Sequence, residues 1–218
     1  MKENLETLLK KDNIIKVAGA YDGLSAKIIE NVGFDAIWSS GLCISASYGV
    51  PDLSIITLND ILERAIIMKD TVEIPIIADC DSGFGNINNA IRTTKLFCKN
   101  GIDAICIEDK IFPKRNSYLN GNQELRTKKE FVDIIKACKD TSSQYRSFFI
   151  ARIEGFISGC SIEEIIDRAN SYIEAGADGL FIQSKKTDLS EVVLFMKNLD
   201  MRIPVFLVPT TYPNVSIT

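Results

Sequence analysis

The fold of this chain is decided by the stretch Lys99-Asn100-Gly101-Ile102-Asp103-Ala104-Ile105-Cys106. A helix-like segment stops at Gly101, a residue that readily takes the left-handed conformation found after a helix. One apolar residue and Asp103 follow, and then an apolar run that predicts a strand buried on both faces. The same pattern recurs as Asn31-Val32-Gly33-Phe34-Asp35-Ala36-Ile37-Trp38 and as Glu174-Ala175-Gly176-Ala177-Asp178-Gly179-Leu180-Phe181. A repeated helix–strand unit of this kind is typical of a parallel sheet.

Further strand and helix candidates lie between these repeats. The strands are Ile14–Ala20, Ile74–Ala78, Phe148–Arg152 and Ile203–Val208, and the amphipathic helices are Leu58–Asp70, Asn88–Asn100, Lys128–Lys139 and Ser161–Glu174. Ser161 followed by Glu164 predicts a capping box at the start of the last helix.

The alternation of seven strands with helices predicts an α/β fold of the (β/α)8 TIM-barrel type. A doubly wound sheet is less favoured, because acids recur at strand ends and no Gly-x-Gly-x-x-Gly follows the first strand. The chain stops about ten residues after the seventh strand, whereas a barrel typically needs about 250 residues. We therefore expect residues 1–218 to form a single barrel domain that is truncated after the seventh strand.

Composition excludes several classes of function. Because 25 Lys and Arg face 29 Asp and Glu, the net charge is −4, and without a basic run we expect no nucleic-acid partner. No stretch is long and apolar enough to span a membrane. The six cysteines are scattered, and Cys80 and Cys106 lie in apolar strands, which predicts reduced thiols and a cytoplasmic location. The absence of histidine excludes histidine-based triads and histidine metal sites.

Acidic residues close two successive strand candidates. Asp79 and Asp81 close the first, and Glu108 closes the second. Buried carboxylates are unfavourable unless positive charge meets them, and carboxylate oxygens are the ligands that Mg2+ and Mn2+ prefer. Because successive parallel strands end at one edge of a sheet, these residues predict one magnesium or manganese site. The alternative is that they cap helices or pair with Lys110 or Arg152.

Two further segments point to anion binding. Arg152 closes a strand candidate, where a guanidinium suits bidentate contact with carboxylate or phosphate oxygens. The alternative is a buried pair with Glu154 or Asp79. The small residues of Ser39-Ser40-Gly41-Leu42 could direct backbone N–H groups at an anion, although a plain tight turn would use the same residues.

A polar, basic segment at residues 110–121, named the lid loop below, follows the second acidic strand end. It predicts a mobile cover that carries Lys114, Arg115 and Asn116 towards an anionic substrate. The alternative is a solvated surface loop.

Two motifs carry a resemblance to a known family. They are Asp-x-Asp-x-Gly-aromatic-Gly-Asn at residues 79–86 and Glu-Asp-Lys-x-Phe-Pro-Lys-x-Asn-Ser at residues 108–117. They resemble the isocitrate lyase/phosphoenolpyruvate mutase superfamily, and its mutase branch in particular. The likeness extends to Tyr21–Ala26, Trp38-x-Ser40-Gly41-Leu42, Ala151-Arg152-x-Glu154 and Ser184–Lys186, and runs from about Ile14 to Pro209. The Asp-x-Asp motif is shared across the superfamily, whereas the 108–117 motif is much more specific.

The resemblance implies a barrel isomerase that uses Mg2+, with Mn2+ as a possible substitute, to interconvert phosphoenolpyruvate and phosphonopyruvate in phosphonate biosynthesis. It implies that Asp79 holds the metal most directly, and that Asp81 and Glu108 arrange its waters. The implied substrate-binding residues are Trp38, Ser40, Gly41, Leu42, Ser117 and Gln183. The implied catalytic residues are Asp52, Lys114, Asn116 and Arg152. Asp52 would lie beside the migrating phosphoryl group, as a transient nucleophile or as an orienting group only.

The lid loop also separates this chain from relatives. Superfamily lyases carry a catalytic cysteine in a Lys-Lys-Cys-Gly-His loop, whereas the lid loop contains no cysteine. Phosphonopyruvate hydrolase carries Thr where Asn116 stands, so the mutase is favoured and the hydrolase is the alternative. Gln183 stands where the family usually has His, and it keeps a hydrogen-bonding tip without a titratable nitrogen.

The family chain continues past an eighth strand into a helical tail that packs on a neighbour, which implies a homo-oligomer when that tail is present. This sequence ends at Thr218 without that unit. A truncated, inactive homologue that acts as a binding module is therefore a further alternative. We expect a small-molecule substrate as the partner, and neither nucleic acid nor membrane.

Overall fold

The computed structural model of the chain describes residues 4–11, 13–119, 121–200 and 202–215; Asn120 of the lid loop and Thr218 lie outside them. The described backbone forms one sheet of seven parallel strands, which lie side by side in sequence order. The strands are β1 (Val17–Ala20), β2 (Ala36–Ser39), β3 (Ile76–Asp79), β4 (Ala104–Glu108), β5 (Phe148–Ile153), β6 (Gly179–Ile182) and β7 (Val205–Leu207). The sheet curls into a partial barrel with β1 and β7 at its edges, which confirms the predicted fold class.

Helices connect the strands. They are α1 (Leu5–Leu9), α2 (Gly23–Val32), α3 (Gly41–Ser47), α4 (Leu58–Thr71), α5 (Ile87–Lys99), α6 (Lys128–Ser143), α7 (Gly155–Ser158), α8 (Ile162–Glu174) and α9 (Ser190–Asn198), and a 3-10 turn follows at Pro209–Thr211. The predicted helices are confirmed, although α6 runs past its predicted end at Lys139. No helix of the described residues is long and apolar enough to cross a membrane.

The predicted capping box of α8 is only half formed. The Ser161 side chain accepts a hydrogen bond from the Glu164 N–H, as predicted. The Glu164 carboxylate does not reach back, and instead accepts from Arg168 Nε at 3.1 Å. The Glu164 carboxylate therefore pairs with a nearby cation, Arg168, and not with the N–H group of the N-cap residue.

The repeated Gly-x-Asp pattern has a structural explanation at the amino-terminal ends of the strands. Gly101 ends α5 with a φ of 76°, a value that suits glycine. Asp103 then accepts a hydrogen bond from the first N–H of β3, at Ile76, and pairs with Lys69. Asp178 binds the Phe149 N–H in the same way. These acids align neighbouring strands, so they belong to the fold rather than to a reactive site.

Strand side chains alternate between two buried layers. Those facing the helices form the larger core, with residues such as Ile105 and Phe149. Those facing the inside of the curled sheet form a second cluster, which includes Cys106, Ile150 and Phe181, and which Leu5 of α1 joins. Since side chains of one face recur every second residue, this inner series leads directly to the polar residues at the strand ends.

Candidate active site

Inward-facing positions at the carboxyl ends of neighbouring strands carry charged side chains. Asp79 ends β3, Glu108 ends β4, and Arg152 lies near the end of β5. In the sheet register, Glu108 lies beside Arg152, and Arg152 Nε approaches the Glu108 carboxylate to 3.4 Å. The sheet therefore brings together three of the predicted site residues, which are 29 and 44 residues apart along the chain.

Asp79 and Asp81 converge because the chain turns sharply after β3. Asp81 takes a φ of 48°, and its N–H donates to Asp79 Oδ1 at 3.3 Å. Gly41, the first residue of α3, lies directly over both carboxylates. A Cβ atom there would lie 3.3 Å from Asp79 Oδ2 and 3.3 Å from Asp81 Oδ1. The two acids therefore share one small space beneath the start of α3.

This space suits a hard divalent cation by charge and by donor type. Its acidic side chains offer carboxylate oxygens, the ligand type that a hard divalent cation prefers. One of these oxygens, Glu108 Oε1, is buried without a hydrogen-bond partner. Burial raises the pKa of Asp81 to about 6 and that of Glu108 to about 7, even though Lys114 and Arg152 respectively lower them. Buried carboxylates with raised pKa values lack sufficient positive charge nearby.

The formal charges support the same conclusion. Five carboxylates and three cations lie in the site, which leaves a formal charge of −2. The carboxylates are Asp52, Asp79, Asp81, Glu108 and Glu154, and the cations are Lys110, Lys114 and Arg152. One divalent ion would neutralise this excess. Among the described residues, however, no three acidic or cysteine side chains already stand in metal-holding geometry. A lysine ammonium lies beside Asp81 instead.

That ammonium belongs to Lys114 of the lid loop. Its Nζ lies 2.8 Å from both Asp81 Oδ1 and Asp52 Oδ1, and the side chain is only 5% exposed. Burial lowers the pKa of Lys114, but the surrounding carboxylates outweigh that effect and raise it, so the lysine stays charged. Asn116 Nδ2 donates to Asp52 Oδ2 at 2.7 Å. Lys114 and Asn116 therefore meet at Asp52, some sixty residues earlier in the chain.

The lid loop turns two of its three predicted polar residues inwards. The Lys114 backbone N–H donates to Ser54 Oγ at 3.1 Å, which ties the loop to the segment that carries Asp52. Arg115 does not share this orientation: it is exposed, and its guanidinium packs against Gly121. The sequence expectation that Arg115 faces the site is therefore wrong, because its side chain lies on the solvent side of the loop.

A second buried carboxylate, that of Glu154, contacts the lid loop at Lys110 and Ser117. Ser117 Oγ donates to Glu154 Oε2 at 2.6 Å, and Lys110 Nζ lies 3.0 Å from the same oxygen. The other oxygen of Glu154 accepts from Arg152 Nε at 2.5 Å. Burial raises the pKa of Glu154, but Arg152 and Lys110 dominate and lower it to about 2. The alternative pairing of Arg152 with Glu154 is thus present.

Arg152 also contacts Gln183, one of the predicted substrate-binding residues. Its guanidinium donates to Gln183 Oε1 at 2.9 Å and lies 4.7 Å from the Phe181 ring centroid. Phe181 in turn stacks on Trp38 at 5.3 Å. Gln183 therefore uses its amide oxygen to orient the arginine, and Trp38 lies one layer below, supporting the floor of the site.

The start of α3 supplies backbone donors on the opposite side. Ser40 is the N-cap: its N–H donates to the Ala20 carbonyl, and its Oγ accepts from the Cys43 N–H. The N–H groups of Gly41 and Leu42 lie in the first turn, where no intrahelical acceptor exists. They are therefore available to a ligand oxygen above Asp79.

Sequence reasoning did not assign roles to several residues of this site. The sequence predicts Glu154 and Lys110 only as pairing partners and as motif positions, includes Asp109 only as a motif position, and gives no role to Ser54. The alternation along β5 places Glu154 on the same face as Arg152, two residues later. This alternation is the sequence signal that identifies Glu154 as an inward-facing residue.

The sheet curls into a partial barrel, with an acidic, histidine-free site at its strand ends and a basic loop over that site. These features define a barrel enzyme with a carboxylate-rich active site. A family model described as phosphoenolpyruvate phosphomutase matches residues 5–218. This chain belongs to the phosphoenolpyruvate phosphomutase family.

Individual relatives agree with this assignment. A phosphoenolpyruvate phosphomutase of Tetrahymena pyriformis is 45% identical over 97% of this chain and 71% of the relative. A crystal structure of phosphoenolpyruvate phosphomutase from Streptomyces platensis subsp. rosaceus superposes with a TM-score of 0.95 at 41% identity, over 98% of this chain and 74% of that one. A phosphonopyruvate hydrolase complex with oxalate and Mg2+ superposes with a TM-score of 0.86 at 37% identity, over 93% of this chain and 70% of that one.

Proposed function

We propose that this chain is an isomerase that interconverts phosphoenolpyruvate and phosphonopyruvate with Mg2+. The single observation that carries the proposal is the meeting of Lys114 and Asn116 with Asp52 beside the acidic strand ends. Phosphoryl transfer through a loose transition state depends on positioning and charge compensation rather than on acid–base groups. A site without histidine supplies both through this arrangement.

The three-carbon part of the substrate would bind between Arg152 and the start of α3. A guanidinium suits a carboxylate because it offers paired donors in one plane. The backbone N–H groups of Gly41 and Leu42 would receive the remaining carboxylate and carbonyl oxygens. Ser40 supports them as the cap of α3, and Trp38 and Gln183 would hold the arginine side of the pocket.

The phosphoryl group would lie against the lid loop. When phosphonopyruvate reacts, its phosphorus–carbon bond breaks and the electron pair stays on the three-carbon unit as an enolate. The enolate oxygen then takes the phosphoryl group, so no atom or proton is gained or lost. Lys114, Asn116 and Ser117 would hold the transferring group while the enolate turns.

Asp52 fits the role of an orienting group better than that of a nucleophile. Both of its oxygens accept in this structure: Lys114 Nζ contacts both, and Asn116 contacts one. A carboxylate that is engaged in this way has reduced nucleophilicity and a defined orientation. We expect no phosphoaspartate in acid-quenched enzyme, and its detection by mass spectrometry would refute this role.

Asp79 would hold Mg2+, with Asp81 and Glu108 as further oxygen donors. The bound ion would supply the positive charge that stabilises the enolate oxygen. Mn2+ fits the same donors.

The proposal also covers the binding partner, the cellular compartment and the oligomeric state. The substrate is a small molecule, and the net charge of −4 offers no attraction for nucleic acid. All six cysteines are free, which supports a reducing, cytoplasmic compartment. The family resemblance supports a homo-oligomer.

The test is phosphorus NMR of the purified chain with Mg2+ and phosphonopyruvate. We expect a phosphoenolpyruvate signal from the wild type and from Asp103→Asn, whose carboxylate only aligns strands, and no signal from Asp79→Asn. Inorganic phosphate with pyruvate would refute the mutase in favour of the hydrolase. Binding of Mg2+ and oxalate without turnover would favour the inactive binding module.

A further inference from the structure

We infer that Glu154 is a positioning residue that couples closure of the lid loop to the orientation of Arg152. This inference rests on the proposed function only in giving Arg152 the substrate carboxylate as its ligand. The coupling itself is a property of the side chains and is testable without turnover.

The two oxygens of Glu154 serve two different parts of the molecule. Oε1 accepts from Nε of Arg152 on β5. Oε2 accepts from Ser117 at 2.6 Å and lies 3.0 Å from the ammonium of Lys110, so it contacts the lid loop at two positions. Lys110 Nζ also donates a hydrogen bond to Ser117 Oγ at 2.7 Å. One fully buried carboxylate is therefore shared by the lid loop and the arginine.

Glu154 is itself held rigidly from behind. Its backbone N–H donates to Asp109 Oδ1 at 2.9 Å. The other oxygen of Asp109 accepts from the Tyr172 hydroxyl at 2.9 Å, and Arg168 approaches both groups. All of these side chains are buried. A residue fixed at its backbone by such a network does not follow the lid loop outwards, so an open loop would leave Glu154 in place with Arg152 but without Ser117.

The orientation of Arg152 follows from this contact. A hydrogen bond at Nε fixes the plane of the guanidinium, because that plane contains Nε and both terminal nitrogens. Its NH2 group then reaches Gln183 at 2.9 Å and Ser117 at 3.3 Å. Ser117 thus contacts both Arg152 and Glu154, so loop closure completes the hydrogen bonds around the guanidinium.

The decisive variant is Glu154→Gln, which keeps the side-chain size and removes the charge. The matched control is Asp103→Asn, which neutralises another carboxylate that pairs with a lysine, at the opposite ends of the strands. Trypsin cleavage after Lys114, quantified by mass spectrometry on native protein, reports opening of the loop, since Lys114 is buried when the loop is closed. We expect cleavage to be at least about tenfold faster in Glu154→Gln than in the control at equal thermal stability.

Ligand binding tests the other half of the coupling. We expect the Kd of oxalate in the presence of Mg2+, measured by calorimetry, to rise about tenfold in Glu154→Gln, since a charged partner of the arginine is lost. With phosphonopyruvate as substrate, the rise in KM should be larger than the fall in kcat. The reason is that the arginine contacts the carboxylate in both the ground state and the transition state. Unchanged trypsin and oxalate results would overturn the inference.

A second variant keeps the inference testable if Glu154→Gln does not fold. Ser117→Ala removes the lid-loop hydroxyl from Glu154 and leaves the Arg152–Glu154 pair intact. We expect faster trypsin cleavage and a roughly threefold weaker oxalate affinity, smaller than the effect of losing the pair. Faster cleavage with an unaltered oxalate Kd would show that the loop and the arginine are not coupled. Because trypsin and oxalate do not require turnover, failure of the proposed reaction would leave both results interpretable.

Discussion

Replacing Lys114 with methionine tests the electrostatics of the site directly. The Lys114 side chain is 5% exposed, and its ammonium lies 2.8 Å from one oxygen each of Asp52 and Asp81. Methionine has a similar length and no charge, so Asp81 would remain buried without its cation. Removing one partner of a buried ion pair destabilises a protein by about 3–5 kcal/mol. In a chain of this size, that loss lowers the Tm by about 10 °C.

The same variant should bind Mg2+ more tightly. Lys114 places positive charge where the divalent ion would bind, so its removal reduces repulsion, and we expect the Mg2+ Kd to fall about tenfold. At saturating Mg2+ this adds about 1.4 kcal/mol to the metal-dependent stabilisation. Part of the stability lost in the metal-free protein should therefore return when Mg2+ is added.

The assay is urea unfolding at pH 8, with and without MgCl2, combined with calorimetric titration of Mg2+. The matched control is Lys129→Met, since Lys129 forms an ion pair with Asp133 at 2.7 Å but is 86% exposed. Surface pairs of this kind contribute little to stability, so the control should unfold with the wild type. The reasoning is refuted if metal-free Lys114→Met is as stable as the wild type, or if it binds Mg2+ more weakly.

Three further perturbations probe other parts of the site. Arg152→Lys keeps the charge but loses the planar pair of donors, so we expect kcat/KM for phosphonopyruvate to fall about 100-fold in steady-state assays. Gly41→Ala would place a methyl group 3.3 Å from oxygens of Asp79 and Asp81, and calorimetry should show a roughly tenfold weaker Mg2+ affinity. The pKa of Glu154 is lowered to about 2, so its stabilisation is present above pH 4.5 and is lost as the pH falls towards 2. Glu154→Gln should therefore flatten the decline in unfolding free energy between pH 5 and 3.

Each of these has a clear contrary outcome. Wild-type kinetics in Arg152→Lys would show that a point charge suffices. An unchanged Mg2+ affinity in Gly41→Ala would place the metal away from the space beneath α3, and Gly19→Ala is its control, because a Cβ there meets Ser40 at an ordinary 3.7 Å. An equally steep pH dependence in Glu154→Gln would assign the acid sensitivity to other carboxylates.

Local residue patterns are sufficient to predict the repeating helix–strand unit and the position of the acids at strand ends. Gly101 predicts the start of a strand because its left-handed conformation ends the preceding helix, which is a local property. Asp103 adds a contact across the sheet, since it accepts a hydrogen bond from the first N–H of the neighbouring strand β3. The continuous apolar runs of β3 and β4 are also a local property, so the acids that end these runs are identifiable from the sequence. The metal-binding role of Asp79, Asp81 and Glu108 remains a prediction.

Which charged side chains contact each other depends on the three-dimensional arrangement of the chain. Asp52 and Lys114 are 62 residues apart, and their contact depends on how two irregular segments fold over the strand ends. Loops carry no periodic signal, so the sequence predicts the same inward orientation for Lys114 and Arg115 and cannot separate the two. The pairing of Glu154 with both Arg152 and the lid loop is decided in the same way, since burial makes each charge take its partner from whatever side chains the fold brings within reach.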